Sequence, residues 1–165
     1  MEKVFSGKVW KLPDDVDTDT IIAGRHGVIL DKKEMGSHCL ETLRPEFASE
    51  VKLGDILVAG KNFGCGSSRE MAAEAINVHG VYCIIAKSFA RIFFRNAINN
   101  GMILIESQEI PDACKEGDIL TVEVNHCVRV NGKEFSIPTI PENLFKIISE
   151  GGLVKSTIKK MEEGK

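Results

Sequence analysis

The sequence lacks any long apolar run. Its uninterrupted apolar stretches, such as residues 56–59, are only a few residues long, whereas a membrane-spanning helix needs about 20. The first residues also lack the apolar core of a signal peptide. The sequence therefore predicts a cytoplasmic protein without a membrane span.

A large excess of charge of one sign is also missing. The chain of 165 residues has 21 Lys and Arg against 24 Asp and Glu, a net charge of -3. Nucleic-acid binding needs a basic surplus to neutralise phosphates, and disordered acidic proteins have low hydrophobicity, whereas 43% of these residues are hydrophobic. We therefore expect a folded domain without a nucleic-acid partner.

Paired cysteines are absent as well. The five cysteines, an odd number, include no Cys-x-x-Cys pair, which excludes a typical disulfide framework and a self-contained zinc or iron–sulfur site. We expect buried thiols, except at Cys65, whose glycine-flanked turn is compatible with an exposed, reactive thiol. The four histidines stand at unrelated spacings and receive no predicted role; they are His26, His38, His79 and His126.

Strand and helix patterns alternate along the chain and predict an α/β fold. Strands are expected at residues 4–12, 56–60, 81–86 and 102–106, and helices at 68–79 and 89–99. Strands connected through helices in this way pack in parallel. Further expectations are an irregular segment at 16–27, helical pieces at 32–51, two short strands around Asn131-Gly132, and helices at 142–149 and 153–161.

The residues with the strongest chemical signal lie at 60–70, where three glycines separate a strand from a predicted helix. A helix N-terminus favours an anion. The spacing of Ser67 and Glu70 is that of a capping box, which stabilises a helix whatever its function. Arg69 in a first helical turn would interact unfavourably with the helix dipole, at a cost of about 0.3–1 kcal/mol. This cost favours a bound ligand carboxylate that offsets it, and a solvated surface arginine is the alternative.

Four segments, at residues 7–11, 15–22, 64–70 (GCGSSRE) and 85–101, closely resemble the small subunits of isopropylmalate isomerases, also called 3-isopropylmalate dehydratases. This family corresponds to the swivelling fourth domain of aconitase, and the resemblance covers at least residues 7–106. It implies a single swivel domain over residues 1–165 with a three-layer β/β/α fold and a mostly parallel central sheet. The strands within residues 118–137 would then belong to the second β layer.

The resemblance implies a hydro-lyase of leucine biosynthesis that interconverts 2-isopropylmalate and 3-isopropylmalate by dehydration and rehydration. In this family a [4Fe-4S] cluster acts as Lewis acid, and its cysteines belong to a large subunit. The chain itself is thus expected to hold no cofactor and no metal, and to be active only in a heterodimer or heterotetramer with a small dicarboxylate substrate.

Site residues follow from the resemblance, position by position. Ser67 is the expected catalytic base, and Arg69 the expected carboxylate ligand, assisted by Ser68. A serine hydroxyl alone is too weak a base, so the helix N-terminus and the guanidinium are expected to stabilise its alkoxide. Asp19 and Thr20 would form an active-site wall; for the Asp17-x-Asp19 pair, turn formation is favoured over metal binding.

In this interpretation, the loop after Gly24 determines the substrate specificity. Relatives that accept an additional carboxylate have an arginine four residues beyond the glycine, where this chain has Val28. An apolar wall suits an isopropyl group, and Arg25 is a further candidate for substrate binding. Smaller alkylmalates (2,3-dimethylmalate, citramalate or citraconate) and homoaconitate remain alternative substrates, and a non-catalytic carboxylate-binding or assembly module remains an alternative of another class.

Overall fold

The first strand, β1 (Val4–Lys11), changes its partner along its length. Its first half pairs antiparallel with β5 (Ile119–Glu123), whereas its second half pairs parallel with β2 (Ile56–Ala59). Gly7 lies near this change, and a Cβ atom there would stand 2.0 Å from the carbonyl oxygen of Gly54. The close approach of the two backbones therefore requires a glycine at position 7.

In this computed structural model, residues 3–164 are described, and their strands form a seven-stranded sheet in the order β4-β3-β2-β1-β5-β6-β7. The remaining strands are β3 (Cys83–Ala86), β4 (Ile103–Glu106), β6 (Cys127–Val130) and β7 (Lys133–Ser136). The α-helices are α1 (Thr18–Ile21), α2 (Lys32–Gly36), α3 (Phe47–Glu50), α4 (Met71–Asn77), α5 (Arg91–Asn99), α6 (Ile110–Ala113), α7 (Glu142–Ser149) and α8 (Leu153–Glu163), and a 3₁₀ helix spans Gly24–Val28. Within residues 3–164 no helix has both the length and the apolar character needed to cross a bilayer.

The two faces of the parallel strands β1 to β4 belong to different cores. Along β2, Leu57 and Ala59 pack with the alanines of α4, whereas Ile56 and Val58 share a core with the antiparallel strands. The residues that the antiparallel strands contribute include Leu120, Val122 and Val128. The antiparallel strands, together with Ile110 of α6 and Ile148 of α7, therefore cover one face, and helices such as α4 cover the other, which confirms the α/β class and the β/β/α layering.

Most predicted elements are found, with three corrections. The helix expected from residue 68 begins at Met71, and no side chain caps it, so the predicted capping box of Ser67 and Glu70 is wrong. The segment at 16–27 contains α1 and the 3₁₀ helix, because the Asp17 carboxylate accepts the N–H of Thr20 at 2.6 Å and caps α1. Residues 118–137 form three strands rather than two, since Asn125 adopts a positive φ in a second tight turn.

A buried carboxylate ties β1 to the start of β2. The Asp55 side chain accepts hydrogen bonds from the indole Nε1 of Trp10 and from the backbone N–H of Lys52, both at 2.9 Å. Asp55 is only 6% exposed and Trp10 only 1%. Because buried donors without acceptors are costly, we expect this carboxylate to contribute strongly to stability.

We predict that Asp55→Ala lowers the free energy of unfolding by about 3 kcal/mol, because it removes the acceptor of the buried Trp10 indole N–H and of the partly buried Lys52 backbone N–H. Asp55→Asn keeps an acceptor oxygen and should cost about 1 kcal/mol. Denaturant unfolding followed by the fluorescence of Trp10, the one tryptophan of the sequence, measures both.

Asp118→Ala is the matched control, since Asp118 accepts the N–H of Lys115 at 2.7 Å in a comparable turn at the surface. If Asp55→Ala costs no more than Asp118→Ala, burial of the Asp55 hydrogen bonds does not stabilise the fold.

Candidate active site

The loop that carries Ser67 is held by the segment just before α1. The N–H of Thr18 donates to the carbonyl of Cys65 at 2.8 Å, and the N–H of Gly64 donates to the carbonyl of Val16 at 2.7 Å. This loop follows β2 at the carboxyl end of the parallel strands, the edge at which α/β proteins bind ligands. Residues 64–67 are thus paired with residues 16–18 and lie outside α4.

Ser67 is fixed by the hydroxyl of Thr18. The Ser67 backbone N–H donates to Thr18 Oγ1 at 3.1 Å, and the two side-chain oxygens lie 3.0 Å apart. Since Thr18 Oγ1 accepts the N–H, its own hydrogen is free to point at Ser67 Oγ. Thr18 is buried and Ser67 is exposed. The sequence interpretation missed Thr18, whose only signal was its place in a run of turn-forming residues.

Arg69 forms an ion pair with Asp19, between Nη1 and Oδ1. Arg69 precedes α4 by two residues, so the expected conflict with the helix dipole does not arise, and Asp19 supplies the compensating charge. The guanidinium also lies against Gly24, where a Cβ atom would stand 2.6 Å from Nη1. Ser67, Thr18, Asp19, Arg69 and Gly24 thus form one cluster, although only three of them were predicted site residues.

Other predicted residues of the site are placed at its margins. Ser68 is exposed, and its carbonyl accepts the Asn96 side-chain amide at 3.3 Å. Thr20 donates its N–H to Asp17, which confirms the turn interpretation for Asp17. Among residues 3–164, neither Asp17 nor Asp19 belongs to a group of side chains that could hold a metal ion.

The 3₁₀ helix lies beside the start of α4 but directs its polar side chains elsewhere. Val28 is 84% exposed, so this chain alone does not enclose it in a pocket. Arg25 Nη2 donates to Glu41 at 2.5 Å instead of joining the cluster around Arg69. Hydrogen bonds from His26 and His38 lower the pKa of Glu41 to about 2 and keep it ionised as the partner of Arg25.

The environment of Cys65 disfavours a reactive thiol. The side chain is half-buried, and this burial, together with the negative charges of Asp17 and Asp15, raises the thiol pKa. Reactive cysteines need a lowered pKa, because the thiolate is the nucleophile. The other four cysteines are buried, as expected.

Comparisons with known proteins agree on one family. The model of the aconitase C-terminal domain matches residues 7–110. The chain is 53% identical to the 3-isopropylmalate dehydratase small subunit of Lachnospira eligens, covering 94% of this chain and 95% of the relative. It is 50% identical to small subunit 1 of Archaeoglobus fulgidus, with coverage of 90% and 94%. A crystal structure of 3-isopropylmalate dehydratase from Methanocaldococcus jannaschii superposes with a TM-score of 0.91 at 41% identity, covering 98% of this chain and 97% of that one.

We predict that Gly24→Ala displaces the Arg69 guanidinium, because the new methyl group would occupy its place. A crystal structure of the variant beside the parent measures the shift. The free energy of unfolding should change by less than about 1 kcal/mol, since the flexible end of Arg69 can move away.

Gly27→Ala makes the same change in the same 3₁₀ helix, where a Cβ atom meets only the Met71 side chain, with Sδ at 3.4 Å. Arg69 should keep its position in that variant. An unmoved guanidinium in Gly24→Ala would show that Gly24 does not define the place of Arg69.

Proposed function

The chain belongs to the family of 3-isopropylmalate dehydratase small subunits, which contain the aconitase C-terminal domain, and from this membership we propose that it is the small subunit of a hydro-lyase of leucine biosynthesis. The enzyme interconverts 2-isopropylmalate and 3-isopropylmalate by dehydration and rehydration. The observation that carries the proposal is the placement of Ser67 and Arg69 on one anchored loop at the carboxyl end of the parallel strands. We also keep the prediction that residues 1–165 form one swivel domain.

Ser67 is proposed as the base that removes the proton from carbon. The proton passes to Ser67 Oγ when the unsaturated diacid forms, and it returns to carbon in the reverse step. An alkoxide needs stabilisation in order to exist near neutral pH. The Thr18 hydroxyl, 3.0 Å from Ser67 Oγ, supplies a hydrogen-bond donor aimed at the developing charge. Because α4 begins only at Met71, we assign this stabilisation to Thr18 and to the cationic Arg69 rather than to the helix terminus.

Arg69 is proposed to bind a substrate carboxylate. A guanidinium offers five N–H donors in a planar fork, and the ion pair with Asp19 engages Nη1. Asp19 and Gly24 therefore hold the group in place while other donors remain for a bidentate contact. The side chain of Arg69 is about one-third exposed, so that a substrate can reach it. Ser68 and Thr20 line the same approach in this proposal.

The iron–sulfur cluster that the family implies does not fit the described part of this chain. A [4Fe-4S] cluster needs several cysteine thiolates, whereas four of the five cysteines are buried apart and no metal-ligating group within residues 3–164 contains more than one cysteine. We therefore place the cluster, which supplies the Lewis acid for the departing hydroxyl, on a separate large subunit. This chain contributes the groups that move the proton and bind the carboxylate.

The exposure of Val28 supports a pocket that is completed by the large subunit. Val28 is 84% exposed in this chain, although an apolar side chain in a substrate wall needs to be covered. In the assembled enzyme Val28 is proposed to face the isopropyl group of the substrate. Arg25 is directed at Glu41 in this chain, and the apolar Val28 offers no charge to a third carboxylate, which favours alkylmalates over homoaconitate.

We predict that Ser67→Ala lowers the turnover of the complex reconstituted with the large subunit by about 10²–10⁴-fold, the usual contribution of a general base. KM should change little. Because Ser67 is exposed and does not cap a helix, the free energy of unfolding should fall by less than about 1 kcal/mol. Steady-state kinetics and denaturant unfolding measure these quantities.

Ser149→Ala in α7 serves as the control, since its hydroxyl only donates to the carbonyl of Lys146. Near-parental turnover of Ser67→Ala would refute the assigned base and would favour the non-catalytic carboxylate-binding or assembly module.

We predict that Val28→Arg lowers kcat/KM for isopropylmalate by about 10²-fold, because a guanidinium without a partner would lie beside the isopropyl group. A homoaconitate-type substrate, whose third carboxylate can pair with the new charge, should lose less or gain. The ratio of the two kcat/KM values in the reconstituted complex is the measurement.

Leu30→Arg is the matched control, since it adds the same charge two residues along the chain and should leave the ratio unchanged. If Val28→Arg does not move the ratio, Val28 does not face the variable group of the substrate, and 2,3-dimethylmalate and citramalate become equally suitable substrates.

A further inference from the structure

Two histidines and a glutamate that the proposed mechanism does not use converge on one point. His26 Nε2 lies 2.8 Å from Glu41 Oε1, and His38 Nδ1 lies 2.7 Å from Glu41 Oε2. The two imidazole rings are stacked, with centroids 3.8 Å apart and planes inclined by 11°. One ligand atom of each side chain lies within 4.8 Å of the other two.

This set of side chains matches the ligand chemistry of zinc. Two imidazoles and one carboxylate bind Zn²⁺ in open sites whose fourth position takes water, and imidazole suits the neighbouring transition metals too. His38 and Glu41 come from one turn of chain, in which the N–H of Glu41 donates to the carbonyl of His38. The third ligand, His26, lies on the 3₁₀ helix. The three side chains are therefore neighbours before any ion binds.

We propose that His26, His38 and Glu41 form a binding site for Zn²⁺ or a similar divalent transition metal. The ring of His26 is largely buried, with 11% exposure, and fixes one ligand, whereas the ring of His38 is 35% exposed. His38 rotates out of the stack so that the lone pairs of both rings point at the metal. Each ring then carries its hydrogen on the other nitrogen, because only an unprotonated nitrogen binds a metal.

The guanidinium of Arg25 competes with the metal ion for the carboxylate of Glu41. It donates to Glu41 Oε1 at 2.5 Å, but the Arg25 side chain is 68% exposed and moves into solvent at little cost. The bound ion then links the 3₁₀ helix to the turn at residues 38–41. Because the same helix carries Gly24 against Arg69, the metal would stabilise the loop beside the candidate active site.

A titration of the full-length chain with Zn²⁺, followed by calorimetry, tests the site. We expect one equivalent to bind at this site, and both His38→Ala and Glu41→Gln to weaken its Kd at least about tenfold. Co²⁺ in place of Zn²⁺ should give the visible absorption of a four-coordinate ion. The melting temperature should rise with Zn²⁺ in the parent, because ligands stabilise the folded state that binds them, but much less in His38→Ala.

His126→Ala is the control, since Glu123, His126 and Cys127 form the other group within residues 3–164 with metal-ligating side chains in reach of each other. It should leave the Kd of the site unchanged. Absence of binding in the parent, unchanged binding in His38→Ala, or loss of binding in His126→Ala would each overturn the proposal. No step of the test uses enzyme activity, so its outcome is independent of the proposed function.

Discussion

The hydrogen bonds between residues 16–18 and residues 64–67 are the interaction on which the candidate site depends. They join two irregular segments that are far apart in the chain, and they satisfy backbone groups that neither segment could satisfy alone. Behind them, a Cβ atom at Gly64 would lie 2.2 Å from the Phe93 ring, and Phe93 packs edge to face on Phe63 at 5.2 Å. The loop is thus fixed between α5 and the segment that begins α1.

This fixation explains how an exposed serine can be well positioned. Ser67 has no helix to orient it, yet its backbone N–H and its hydroxyl both meet the buried Thr18. Arg69 is oriented in a comparable way by Asp19, one residue further along α1. The four-residue helix α1 therefore positions both groups, and its cap at Asp17 belongs to the support of the site as much as to the fold.

The local elements could be predicted from the sequence, because they depend on short-range patterns. The apolar runs of β2 and β3 and the helical spacing of α5 identify these elements correctly. The start of α4 was wrong, because the bonds between Thr18 and Ser67 join residues 49 positions apart and outweigh the local capping pattern. The group of His26, His38 and Glu41 could not be predicted either, since only the packing of the 3₁₀ helix makes these residues neighbours.

The exposure of Val28 has a consequence for how enzymes of this kind diverge. A side chain that touches little of its own subunit can be replaced with little loss of folding stability, whereas residues of the core cannot. If Val28 faces the substrate as proposed, a lineage can therefore change its preferred substrate by substitutions in the 3₁₀ helix without compensating mutations elsewhere. Gene duplication followed by drift at this helix would suffice to produce paralogues with different substrates on an unchanged scaffold.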